Sequence, residues 1–171
     1  MLNTKRITWG TAAVVAVGVL LGPAVAHADQ TSAADAMDSG VLIFTEEGRG
    51  SGSVVAEDTV LTAAHVTDGA IDTLLKVGDR EVPGTVVAED YDRDLALIEA
   101  PGVAAPPLQI GGDVEPGDPV SAIGSPTGRH LQLTSGVVSA VIVYDSSGGE
   151  IDQFVSDGTE LVQTDAALNS G

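Results

Sequence analysis

The chain has 171 residues, 43% of them hydrophobic and 3% aromatic, with no cysteine and a formal net charge of −18. That is enough apolar residue for one domain, or for two small ones sharing an interface, with no disulfide to support either. A strongly acidic field repels nucleic-acid phosphates and anionic lipid surfaces, so neither is an expected partner.

At the start, Lys5 and Arg6 precede an apolar run from Ala12 to Leu21, the breaker Gly22-Pro23, and then Ala26-His27-Ala28. A basic end, a short apolar core and small residues at a cleavage site are the layout of a secretory signal peptide, expected over residues 1–28. The competing reading is an uncleaved membrane anchor from Ile7 to Ala26, but Gly10, Gly18, Gly22 and Pro23 interrupt that run. Cleavage after Ala28 would remove two basic residues and no acid, making the mature chain more acidic still. The expected destination is the outside or the cell envelope of a bacterium, periplasmic or extracellular.

Residues 29–39 carry no period and read as a flexible leader. From Gly40 the texture changes to short Val, Ile, Leu and Thr runs: Val41–Phe44, Gly52–Ala56, Thr59–Val66, Thr73–Val77, Val82–Ala88 and Leu95–Ala100. Gly, Asp and Pro punctuate them at short intervals, which predicts an all-β barrel or sandwich over residues 40–105. No stretch sustains a helical period for three turns. Pro106, Pro107, Pro116 and Pro119 with Gly111, Gly112 and Gly117 then make residues 106–119 a connection rather than a central strand. Strand-like runs resume at Val120–Gly124, Leu131–Val143 and Glu160–Thr164, so residues 120–171 form a second β-unit. Its polar loop, Tyr144–Gly158, is acidic. Asp145, Glu150, Asp152, Asp157 and Glu160 lack the alternating oxygen ligands of a calcium loop and read as solvated surface.

Three histidines are candidates for acid–base work. His27 leaves with the signal, and His130 sits beside Arg129 in a loop. His65 follows an apolar strand end, with Thr62, Ala63 and Ala64 small enough to let the backbone approach a neighbour. A lone histidine after a strand is more often structural than catalytic, so its partners decide. Asp94 stands at the mouth of the buried run Leu95-Ala96-Leu97-Ile98, where a carboxylate can accept the imidazole Nδ1 proton and hold its tautomer. Asp90 and Asp92 lie further from that run and are expected to be solvated.

Leu61-Thr62-Ala63-Ala64-His65-Val66 and Asp94-Leu95-Ala96-Leu97-Ile98 resemble the histidine and aspartate segments of trypsin-like serine proteases, in particular the bacterial HtrA type. Gly50-Ser51-Gly52-Ser53 resembles the strand ahead of the histidine. Ala122-Ile123-Gly124-Ser125-Pro126 and Thr134-Ser135-Gly136-Val137 resemble the opening hairpin of the second barrel. Val162-Gln163-Thr164-Asp165-Ala166-Ala167-Leu168-Asn169 resembles the run into the nucleophile. The resemblance implies an all-β, two-barrel trypsin-like fold, with the second barrel incomplete in this chain and the active site in the cleft between barrels. It implies a serine endopeptidase with His65 as general base and then acid and Asp94 as orienting carboxylate. Polypeptides would be the substrates, misfolded or envelope proteins among them, and neither metal nor organic cofactor would be required.

Two other readings stay open on the sequence. One is a non-catalytic secreted β-barrel binding module that keeps His65 and Asp94 only as inheritance. The other is a plain β-sandwich adhesin, which a His65–Asp94 separation too long for a hydrogen bond would favour.

The chain departs from the HtrA pattern at its last residues. That pattern places its serine about eight residues after the aspartate equivalent to Asp165, beyond Gly171. Ser170 stands instead where the family usually has proline, and no glycine precedes it to offer an oxyanion-stabilising amide. The chain is therefore expected to be a fragment lacking the nucleophile. On this register the 171-residue chain gives no measurable proteolysis and no labelling by a serine-directed fluorophosphonate. Mass-spectrometric detection of label on Ser170 would overturn the register.

Overall fold

The computed structural model describes residues 18–20, 32–46, 48–126, 129–145 and 156–168. The rest of the expected signal segment, Glu150, Asp152 and the terminal Asn169-Ser170-Gly171 lie outside the described residues.

Among the described residues, ten strands and two short helices follow in chain order: β1 (Gly18–Leu20), α1 (Ala33–Met37), β2 (Gly40–Phe44), β3 (Arg49–Ala56), β4 (Thr59–Thr62), α2 (Ala64–Thr67), β5 (Asp72–Val77), β6 (Arg80–Asp90), β7 (Leu95–Glu99), β8 (Pro119–Gly124), β9 (Gln132–Val143) and β10 (Glu160–Thr164). β2 to β7 close into a six-stranded barrel in the order β2-β3-β4-β7-β6-β5, every neighbouring pair antiparallel. β8, β9 and β10 form an open antiparallel sheet, with β1 paired along the outer edge of β8. The molecule is all-β, a closed barrel followed by a second barrel that is incomplete in this chain. A sandwich is thereby ruled out.

Two local outcomes differ from the sequence reading. The stretch read as a leader contains α1, whose Ser32 side chain accepts the Asp35 amide while Asp35 reaches back to the Ser32 amide, a capping box that stabilises even one turn. The run read as a strand from Thr59 to Val66 stops at Thr62, and Ala64–Thr67 turns helical. Alanine and a single β-branched pair do not oppose helix there, and the partners described below decide it.

The barrel interior is filled by Val41, Ile43, Val54, Val60, Leu75, Val82, Ile98, Ala100 and Val103. In β7 the burial alternates, with Ala96 and Ile98 inward, as a strand with one buried face requires. Each fully buried Ile or Leu in this set contributes about 1.5–3 kcal/mol by leaving water. A smaller cluster of Ala36, Leu108 and Ile123, flanked by Met37, Leu131 and Leu133, packs α1 and the Pro/Gly-rich connection against the second sheet. The connection is tied to the barrel where the Leu108 amide donates to the Val54 carbonyl at 2.8 Å.

β6 explains how the barrel closes. Its first half, Arg80–Thr85, pairs with β5, and its second half, Thr85–Asp90, pairs with β7. Pro83 falls in the half paired on one side only, where its missing N–H costs no ladder bond. Gly84 stands at the corner: a Cβ there would collide with the Leu75 side chain and come within 2.7 Å of Ile98 Cγ2 and 2.8 Å of Thr73 Oγ1. Gly84→Ala is therefore expected to destabilise the barrel by about 1–3 kcal/mol through overpacking. Urea denaturation followed by circular dichroism measures this, with Gly78→Ala unsuitable as its reference because Gly78 has φ of 58° and Gly111→Ala suitable because that site is open.

Candidate active site

α2 is only four residues long, and its N-cap, Ala63, has no side chain to accept the first amides. A helix that short does not hold itself. The acceptor comes from the start of the neighbouring strand, β7: Asp94 Oδ1 takes the backbone N–H of His65 at 2.9 Å, and Asp94 Oδ2 lies 2.6 Å from His65 Nδ1. One carboxylate thus caps the helix and orients the ring it carries. Asp94 is 2% exposed and the His65 ring 22%, so the carboxylate is shielded while the imidazole retains an open face. With Nδ1 donating to a carboxylate, Nε2 is the basic nitrogen of the neutral ring.

Asp94 reaches this position through a left-handed backbone, φ 54°, at the end of the turn joining β6 to β7. Aspartate tolerates that region better than most residues, at a cost of order 1 kcal/mol. Asp90 shapes the turn: its Oδ1 accepts the Arg93 amide at 3.1 Å and its Oδ2 the Arg93 guanidinium at 2.7 Å. The guanidinium bond is the main reason the Asp90 carboxyl is held below its ordinary value, with slight desolvation acting against it. Asp92 meets the far end of the β9–β10 connection, its carbonyl accepting the Ser156 amide at 3.0 Å and its Oδ1 the Ser156 hydroxyl at 3.3 Å. The two competitors to Asp94, a half-buried Asp90 and an exposed Asp92, therefore have partners of their own.

Beneath α2, Gly50 of β3 makes room: a Cβ there would come 2.6 Å from Val66 Cγ1. Thr62, fully buried, donates to the Ser51 carbonyl at 2.8 Å and pins the end of β4 where the chain turns into α2. Ser51 in turn accepts the Ser125 amide at 3.1 Å through its hydroxyl, joining the barrel to the end of β8. His130 is exposed beside Gln132 and stands apart from the pair, as its loop position suggested.

On the second sheet, residues 164–167 are stapled to β9. Asp165 Oδ1 accepts the Val137 amide at 2.7 Å, Thr164 Oγ1 donates to the Val137 carbonyl at 2.9 Å, and Thr134 Oγ1 donates to the Ala167 carbonyl at 2.9 Å. A Cβ on Gly136 would collide with Asp165 Oδ1 and the Ala166 backbone. Sequence reasoning did not single out this staple, although an isolated glycine inside a 12-residue strand is a signal of close backbone approach. Among the described residues no group of three or more metal-ligating side chains gathers, and no helix is long and apolar enough to cross a membrane.

The sequence profile of the trypsin-like peptidase domain matches residues 50–171. The chain is 35% identical over 141 residues to the protein named "Probable periplasmic serine endoprotease DegP-like" of Halomonas elongata, covering 79% of this chain and 28% of that one. It is 36% identical over 157 residues to the serine protease PepD of Mycobacterium tuberculosis, covering 81% and 34%. Among solved structures, the Rv3671c protease in its inactive form superposes with a TM-score of 0.71 at 26% identity, over 81% of this chain and 70% of that one. The HtrA-type protease AlgW with a tripeptide gives 0.68 at 28% identity, over 82% and 48%. The chain thus spans about a third of the length of the curated relatives it matches.

The Asp90–Arg93 turn has a pH signature. A carboxyl lowered from 3.8 favours the folded chain above that value and loses the contribution as pH falls through the lower folded value. Arg93→Ala is expected to move the Asp90 midpoint upward, toward 3.8, in an NMR titration of the side-chain carboxyl carbon.

Proposed function

Because this chain belongs to the trypsin-like peptidase family, we propose that it serves an exported serine endopeptidase in which His65 and Asp94 are two members of a Ser-His-Asp triad. The observation that carries the reading is the double engagement of His65 by Asp94, amide to Oδ1 and ring to Oδ2. A catalytic histidine needs its Nδ1 proton held and its ring fixed, and one buried carboxylate does both.

The serine belongs to the segment that follows Asp165-Ala166-Ala167. Its Oγ–H would give its proton to His65 Nε2 as the oxygen attacks the scissile carbonyl, and Asp94 would stabilise the imidazolium that forms. His65 would pass that proton to the departing amine, leaving an acyl-enzyme. Water, deprotonated by the same nitrogen, would release the acid. Side chains and backbone amides supply all of this chemistry. The staple of residues 164–167 onto β9 supports the reading, since an oxyanion site needs its preceding segment held in place.

In this proposal residues 1–28 are an export signal, 29–39 a leader, 40–105 the barrel bearing His65 and Asp94, 106–119 the connection, and 120–171 part of the nucleophile-bearing barrel. Polypeptides of the bacterial envelope are the substrates, in keeping with the periplasmic name of the Halomonas relative.

The test uses a protein in which this sequence is joined to a serine-bearing segment. Asp94→Asn is expected to lower kcat about 10⁴-fold, the size of effect that losing the tautomer has in the general triad, and His65→Ala to abolish fluorophosphonate labelling. Cleavage of an unfolded polypeptide at the unaltered rate by His65→Ala would end the proposal.

A further inference from the structure

α2 is held at both ends by carboxylates from the same hairpin, and only one of them is Asp94. Thr67, the last residue of α2 and fully buried, lies with its Oγ1 2.8 Å from the Ala64 carbonyl and 2.6 Å from Glu89 Oε1. Glu89 sits near the end of β6, opposite Ala96 of β7, on the hairpin whose turn carries Asp94. Its second oxygen, Oε2, accepts the Tyr91 hydroxyl at 3.0 Å. We infer that Glu89 is a positioning residue for His65, acting through Thr67 to set the rotation of α2 against Asp94.

A four-residue helix without a side-chain cap, ending at Asp68 with φ of 43°, has one internal turn and no length to resist rotation about its axis. Asp94 grips its second residue and Glu89 its fourth. Val66 seats the turn over Gly50 of β3, and the two carboxylates hold its rotation on that seat from either end. Rolling would carry the His65 ring off Asp94 Oδ2, because the ring is borne on that turn.

The hydrogen count adds to this. A threonine hydroxyl carries one proton, and here it faces two acceptors, the carbonyl of its own turn and the Glu89 carboxylate. The carboxylate is the stronger acceptor, so the hydroxyl is drawn outward toward β6 instead of closing on its own helix. Tyr91 anchors the carboxylate from the other side. Its phenol is raised above the ordinary value chiefly by its bond to Glu89, with desolvation and the nearby charges of Glu89 and Asp68 adding to the effect. Glu89 is thus fixed at one oxygen by β6's own turn and fixes α2 with the other.

This role rests on the reading of His65 as the base, and the experiment separates the two. The full 171-residue chain, labelled with nitrogen-15, is followed by the imidazole resonances of His65 at a pH where the ring is neutral. The unsubstituted chain is expected to show a single Nδ1–H tautomer with a downfield proton, the signature of a ring donating to a carboxylate. Asp94→Asn is expected to lose it, and persistence of the signature there would sink the triad reading itself, whatever Glu89 does. Thr67→Val and Glu89→Ala are expected to lose the single tautomer with Asp94 intact. Glu89→Gln, which keeps a carbonyl acceptor, and Thr67→Ser, which keeps the hydroxyl, are expected to retain it. A dispersed amide spectrum confirms that each variant is folded, and Thr67→Val, nearly isosteric, decides if Glu89→Ala does not fold. An unchanged His65 signature in folded Thr67→Val overturns the inference, as does its loss in Glu89→Gln with Thr67→Val unaffected.

Discussion

The structure around the histidine depends on one buried carboxylate. Asp94 accepts two hydrogen bonds from the same residue, one from the peptide amide of His65 and one from its ring. The first bond supplies the cap that Ala63 cannot, so it makes the turn of helix possible. The second aligns the ring on that turn. Local structure and chemistry are coupled here: a change that moves the carboxylate loosens the backbone and the imidazole together. Removing it would also leave the His65 amide without its acceptor in a largely buried place.

The barrel is what delivers the carboxylate. β4 pairs with β7 along its whole length, Thr62 opposite Ala96, so the chain leaving β4 toward His65 and the chain entering β7 from Asp94 emerge side by side. Closure of the six strands fixes that adjacency, and the glycine corner at position 84 lets β6 pass from β5 to β7 with its interior filled. A side chain there would push on Leu75 and Ile98, two of the fully buried residues at the centre of the core.

Much of this was legible in the letters. Alternating Val, Ile and Leu runs broken by Gly, Asp and Pro reported strands, and the lengths of β7, β8 and β10 lie within about a residue of the runs read from sequence. His65 and Asp94 stand out in the sequence because the residues beside them are small or apolar, which marks buried ground at a strand end, and the fold brings the two side chains within 2.6 Å of each other. What escaped was everything set by contact between distant segments. The helical turn at Ala64–Thr67 depends on a cap 29 residues away, which no local pattern in the segment announces. The one-turn helix at Ala33–Met37 is shorter than any periodicity window, although Ser32 and Asp35 form a recognisable cap signal. The hold of Glu89 on Thr67 joins positions 22 residues apart whose types, taken singly, suggest only a surface acid and a strand threonine.

Several residues at the site are poor choices for their own local structure. Asp94 has a left-handed backbone, α2 starts at an alanine, and Gly50 and Gly136 sit inside strands where any other residue would favour β-structure more. Each makes sense only through a neighbour from elsewhere in the chain: His65 for Asp94, Val66 for Gly50, Asp165 and Ala166 for Gly136. Local preference and tertiary demand conflict at these positions, and the tertiary demand wins. Such conflicts are expected where a fold maintains a working arrangement rather than maximal stability. Gly136 shows the point most directly. Its missing side chain weakens the middle of a long strand, yet it is what lets the segment after Thr164 lie against β9 with its amide, hydroxyl and carboxylate bonds all made.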